Sequence, residues 1–148
     1  AFLPTIYMGE AACARILHDP AGALAALRRR TTPYPAALAK ALRERFEWEA
    51  EFALANARKS LDRGDVSYLA GCAFRAIACL CQTLFALNGV YLLNEKGAVA
   101  AVDGFALSPT DFAKRVASLF AELGSGNHAA GLDRLHELIA DTRGLSFR

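Results

Sequence analysis

The longest apolar run in the chain covers residues 66–93, VSYLAGCAFRAIACLCQTLFALNGVYLL, and holds one charge, Arg75, in 28 positions. Apolar on nearly every side, it has the pattern of a helix enclosed by other helices. At about 100° per residue, Tyr68, Cys72, Arg75, Cys79 and Gln82 share one stripe, and Phe74, Ile77, Cys81, Leu84 and Asn88 lie roughly opposite. The second stripe reads as ordinary core. The first carries the strongly polar groups. A guanidinium inside a bundle must be paired or face water, so Arg75 is expected to have a carboxylate partner, an anionic ligand or a solvent channel.

The segments on either side supply the helices that would enclose this one. Residues 35–62 form a long amphipathic pattern with Leu42, Phe46, Ala50, Ala53, Ala57 and Leu61 on one stripe. Arg45 and Glu49 make an i,i+4 pair on its flank, and Glu44, Glu47, Glu51 and Arg58 a solvated face. Trp48 falls off the core stripe, free to pack on the N-terminal segment or on another subunit. Arg63-Gly64-Asp65 is a tight connection: a glycine stop for one helix and an aspartate cap for the next. Asn94-Glu95-Lys96-Gly97 ends the central helix, and residues 97–107 read as a loop. Ser108-Pro109-Thr110-Asp111 reads as a helix start, with Phe112, Val116, Phe120 and Leu123 inward. A last helix over about 128–143 turns Leu132, Leu135 and Ile139 inward.

Ahead of this lies a different pattern. Residues 1–9 show no clear period, and the short apolar run at 11–17, closed by His18-Asp19-Pro20, is consistent with a strand feeding a turn. Asp19 and Pro20 then open a short helix over 20–30 with Leu24 and Leu27 inward. A lone strand leaves its backbone unpaired, so its sheet would lie in sequence outside this chain. Thr31-Thr32-Pro33-Tyr34-Pro35 breaks the chain and marks a boundary. The predicted class is all-α: an antiparallel four-helix bundle around helix 66–93, preceded by a strand–helix remnant of an α/β domain, with units 1–32 and 33–148. The chain begins at Ala1 and its one methionine is Met8, which points to a processed or truncated piece.

Composition narrows the function classes. A net charge of +2 with dispersed basic residues argues against DNA binding. The run Arg28-Arg29-Arg30 suits a helix C-terminus, with phosphate binding as its alternative. Cys13, Cys72, Cys79 and Cys81 include no CxxC and read as small buried hydrophobes in a reducing cytoplasm. His18, His128 and His136 have no metal-ligand spacing. No signal peptide is visible. Residues 66–93 are long enough to span a membrane, but Arg75 and Gln82 at mid-span and the lack of a basic flank argue for a soluble core helix.

Motifs with chemistry are few. There is no Walker loop, GxGxxG, HExxH or Ser-His-Asp cue, and Gly124-Ser125-Gly126 reads as a connection between helices. The polar cluster at the end of the central helix is the candidate site: Asn88, Tyr91, Asn94, Glu95 and Lys96. Glu95 is a weak candidate general base should a cleft raise its pKa, and Lys96 could meet a phosphate or carboxylate. With Arg75 and Gln82 added, the candidate substrate-binding set is Arg75, Gln82, Asn88, Tyr91 and Lys96. The alternative for the cluster is a solvated helix terminus, with Lys96 complementing the dipole.

GDVSYLAGCAFRAIACLCQTL followed by FALNGVYLLNEKGAV resembles the helical C-terminal half of small nucleotidyltransferase-superfamily proteins. ARILHDPAGALAAL followed by TTPYP looks like the end of the nucleotidyltransferase core in the same proteins. Such a helical half is similar to the C-terminal domain of kanamycin nucleotidyltransferase and to HEPN domains. The resemblance implies a cytoplasmic, homodimeric, substrate-binding helical domain that shapes an acceptor pocket, with Mg2+ and NTP used by the full-length protein. The paired aspartates of the metal site would lie in a missing N-terminal domain. An RxxxxH pair, which an active HEPN ribonuclease needs, is absent: Arg15 and His18 are three apart, Arg134 and His136 two. A non-enzymatic HEPN-like interaction module, of antitoxin or adaptor type, is the alternative.

Overall fold

The structure is a computed structural model, and it describes residues 4–146. Among the described residues every regular element is helical: α1 (Ile6–Cys13), α2 (Ala23–Thr31), α3 (Ala36–Lys59), a 3-10 turn (Leu61–Arg63), α4 (Val66–Leu87), α5 (Ala98–Val102), α6 (Phe112–Gly124) and α7 (His128–Gly144). The four long helices α3, α4, α6 and α7 are the predicted bundle, and α4 is its central apolar member.

The core follows the predicted stripes closely. Leu42, Phe46, Ala50, Ala53 and Ala57 of α3 are buried against Leu69, Ala73, Ala76, Leu80 and Leu84 of α4. The alanines on this seam let the two backbones lie close along their length. From the other side α7 brings Leu132, Leu135, Leu138 and Ile139, and α6 brings Phe112, Val116, Leu119 and Leu123. Gly131 fixes how near α6 and α7 approach, since a Cβ there would fall 2.7 Å from Leu123 Cδ2. The connection before α4 forms as read: Gly64 takes the left-handed conformation at φ 63°, and Asp65 Oδ1 accepts from the Tyr68 N–H at 3.0 Å.

α4 is long and apolar enough to cross a membrane, yet 67% of its most apolar 18-residue window is buried by the rest of the chain. Its all-round apolarity is therefore matched by neighbouring helices, as in the core of a globular domain.

Several elements depart from the sequence reading. No strand forms at 11–17; α1 runs to Cys13 and the chain then turns extended at Ala14. The lone strand was the reading with no pairing partner for its backbone, whereas a helix satisfies its own. α1 is held by a close approach of Gly9, where a Cβ would fall 2.7 Å from Tyr91 Cβ. α2 starts at Ala23 after a left-handed Gly22, and Asp19 Oδ2 reaches its free end, accepting from the Ala25 N–H at 2.9 Å. That bond holds the Asp19 carboxyl below its ordinary pKa. Leu24 and Leu27 do not turn inward; they are 45% and 47% exposed. The central helix stops at Leu87, six residues early, because Asn88 and the positive-φ Gly89 turn the chain. The loop at 97–107 contains α5. α6 begins after Asp111, whose φ of 54° is left-handed, and its cap comes from Asp103 Oδ1, which accepts from the Ala113 N–H at 3.1 Å. On α3, the supposed solvated face ties helices together: Arg58 pairs with Asp133 at 2.9 Å and Arg143 with Glu51 across to α7.

Candidate functional site

The outward side of α3 and α4 carries an open hollow. It is a groove of about 550 Å³ lined by Phe52 and Asn56 from α3, Asp65 at the helix start, and Tyr68, Cys72 and Arg75 from α4. That volume lies within the ~300–1,000 Å³ of small-molecule sites. Gly71 lies in its lining, with nothing within 4 Å of where a Cβ would be. Tyr68 and Phe52 are each about half exposed and form its walls. A second hollow of about 310 Å³ continues it toward the 3-10 turn and adds Lys59, Ser60 and Arg63, sharing Asn56, Asp65 and Tyr68. Three cations, Lys59, Arg63 and Arg75, therefore line one continuous, aromatic-walled depression, opposed by Asp65, which is engaged in capping α4.

Arg75 meets the expectation of a carboxylate partner. Its Nη2 donates to Glu49 Oε1 of α3, and its side chain is half exposed beside the groove. Glu49 also lies 3.9 Å from Arg45, the predicted i,i+4 pair. Beneath them Cys79 is buried, and desolvation together with the nearby Glu49 charge pushes its thiol up to about 12. Tyr68 bonds to the Cys72 thiol, whose proximity raises the phenol pKa.

The other candidate residues lie elsewhere. Gln82 is buried and, with Glu95, lines a small apolar cavity of about 50 Å³ between α4 and α5, also bordered by Phe74, Ile77 and Cys81. Phe74, placed on the core stripe by periodicity, is 54% exposed at this edge. Asn88 fastens the loop before α6 to the end of α4: Nδ2 donates to the Leu84 and Leu107 carbonyls at 2.7 and 2.8 Å, and Oδ1 accepts from the Leu107 N–H at 3.0 Å. Tyr91 clasps the N-terminal helices to the bundle; its hydroxyl donates to the Thr31 carbonyl at 2.9 Å and its ring lies 4.5 Å from that of Tyr34. Burial raises the pKa of both phenols, that of Tyr34 to about 12. Lys96 is exposed in a turn whose backbone N–H donates to Asn94 Oδ1 at 3.0 Å. The structure thus brings Gln82 and Glu95 together, sets Arg75 in the groove, and leaves Asn88, Tyr91 and Lys96 apart from both.

Sequence reasoning missed Phe52, Asn56 and Tyr68 as a shared wall. The signal was available at Trp48 and Phe52, an i,i+4 aromatic pair off the core stripe. Their rings stack at 5.2 Å and 11°, and both are exposed.

Among the described residues no group of three or more His, Cys, Asp or Glu side chains comes together to hold a metal ion.

Residues 3–96 match the family described as Domain of unknown function (DUF4037), more than half of the chain. The chain belongs to that family. The matched stretch of the DUF4037 domain takes in α1 to α4 and the turn after them, and so includes the whole groove. No curated protein and no solved structure matches the chain.

Proposed function

We propose that this chain is a helical substrate-binding and dimer-forming part of a nucleotidyltransferase-like protein, and that the α3–α4 groove is where it meets a nucleotide or acceptor. The observation that carries the reading is the pairing of aromatic walls with three cations in one depression. Aromatic faces suit a base or sugar ring. Arginine and lysine suit phosphate. Arg75 has donors beyond the one engaged by Glu49, because a guanidinium carries five N–H groups. The metal-binding carboxylates of such a reaction would belong to another part of the protein, and no chemical step is assigned to the residues here. A cytoplasmic setting agrees with four free thiols.

The test uses the protein's one tryptophan, Trp48, stacked on the groove residue Phe52. Titration with ATP, GTP, CTP and UTP should change its fluorescence saturably. Arg75→Ala and Tyr68→Ala should each weaken binding, the former about 10- to 100-fold, as loss of a charge-assisted bond implies. If no nucleotide binds, the substrate reading falls and an interaction module of adaptor type takes its place.

A further inference from the structure

The groove is sorted along its length. The 3-10 turn joins α3 to α4 and the two helices lie side by side, so residues before the turn meet residues after it. Farthest from the turn, Glu49 of α3 holds Arg75 of α4. Next, Phe52 lies in the larger hollow with Gly71 and Cys72. Asn56, Tyr68 and Asp65 line both hollows and mark their junction. Nearest the turn, Lys59 and Arg63 line the smaller hollow alone. Arg75 and Asp65 are ten residues apart, about 15 Å of helical rise.

The two ends differ in how their cations are engaged. Every other described arginine from α3 onward faces a carboxylate. Among the described residues Arg63 and Lys59 form no ion pair, and both are exposed in the smaller hollow. Such cations are open to a phosphate. Asp65 uses Oδ1 for the Tyr68 N–H at 3.0 Å, which leaves Oδ2 as an acceptor at the junction. An ionised carboxylate only accepts, so Oδ2 suits a hydroxyl and repels a phosphate. Along the groove the order is therefore an aromatic-walled end, then a hydroxyl acceptor, then unpaired cations.

We infer that the groove takes a ribonucleotide lengthwise and recognises its sugar. The base lies against Phe52 and Tyr68, the ribose hydroxyls donate to Asp65 Oδ2, and the phosphates meet Lys59 and Arg63. Turned end for end, the ligand would bring its phosphates beside the Glu49 carboxylate and its base to the two unpaired cations. Arg75, held by Glu49, is left at the base end, where its remaining donors suit acceptors on a base edge. The inference rests on the nucleotide reading of the groove and adds the ligand's direction and its sugar.

Calorimetric titration of the full chain with adenosine, AMP, ATP and 2′,3′-dideoxyATP tests it. AMP and ATP should each bind at least about tenfold tighter than adenosine. Lys59→Ala with Arg63→Ala should remove that gain and leave adenosine binding unchanged. Arg75→Ala should instead weaken adenosine and ATP by the same factor. The dideoxy form should bind at least about tenfold more weakly than ATP, as loss of hydrogen bonds to a carboxylate implies. Asp65→Asn keeps an oxygen for the helix cap and loses the second acceptor, so it should shrink the gap between ATP and its dideoxy form. All four substituted side chains are exposed, and helical circular dichroism should not change. Nucleotides that bind with no gain from phosphate, or with equal affinity for ATP and its dideoxy form, overturn this inference and leave the nucleotide reading standing. So does a phosphate gain that survives the double substitution. If none of the four ligands binds, the nucleotide reading falls and this inference falls with it.

Discussion

The two halves of α4 are both mostly apolar and have opposite surroundings. From Ala76 to Leu87 every residue except Ala78 is buried. From Val66 to Arg75 only Leu69 and Ala73 are, while Val66, Tyr68, Phe74 and Arg75 are exposed. Both halves pack on α3. The C-terminal half is also roofed by α5 and by the loop that Asn88 ties down, with Phe105 set edge-on against Phe85 at 4.8 Å. Among the described residues nothing roofs the N-terminal half in the same way, and that half carries the groove. Apolarity along a helix reports that it will be covered; whether by its own chain or by something else depends on what lies next to it in space.

Truncations should separate the halves most sharply. Leu84→Ala, in the roofed half, should cost about 2–5 kcal/mol in denaturant melts. Tyr68→Ala, in the open half, should cost well under 1 kcal/mol because no buried cavity results. Equal losses would mean that the open half is covered within the monomer.

Alkali gives the next effect. Burial raises Cys79 and Cys81 from 9 to about 12 in the folded protein. Below pH 9 both states hold the thiol protons and stability is full. Above it the unfolded chain releases them and the folded one does not, so stability should fall from pH 9 towards 12, by a few kcal/mol in all. Cys79→Ala with Cys81→Ala should flatten that fall. On the native protein at neutral pH a thiol reagent should titrate the exposed Cys13 and the half-buried Cys72 quickly, and the other two only on unfolding.

Removing the roof's fastening should be smaller. Asn88→Ala loses three hydrogen bonds to the backbone and should cost about 1–3 kcal/mol, with faster amide exchange at Leu107. Smallest is the ion pair on the open half: Arg75→Ala should change stability by less than about 1 kcal/mol, since the guanidinium is half exposed. A converse change belongs to the roofed half. Thr83 is fully buried and its hydroxyl has no hydrogen-bond partner, so Thr83→Val should be neutral or stabilising.

Periodicity alone determined the four long helices, the α3 core stripe from Leu42 to Ala57, the Gly64–Asp65 connection and the enclosure of α4. These follow from local rules: the 3.6-residue repeat, a glycine that tolerates positive φ, and a carboxylate beside free N–H groups. Placing Arg75 next to a carboxylate was also within reach, because a cation on an apolar helix has few alternatives. Only the tertiary structure decided that α4 stops at Leu87, since Asn88 is held there by Leu107, nineteen residues on. It likewise decided that residues 11–17 form no strand, that Asp103 and not Ser108 caps α6, and that Asn88 and Tyr91 bind the protein's own backbone. The groove was illegible for the same reason. It is made by side chains from two helices, and a linear pattern records which residues share a face but not which faces meet.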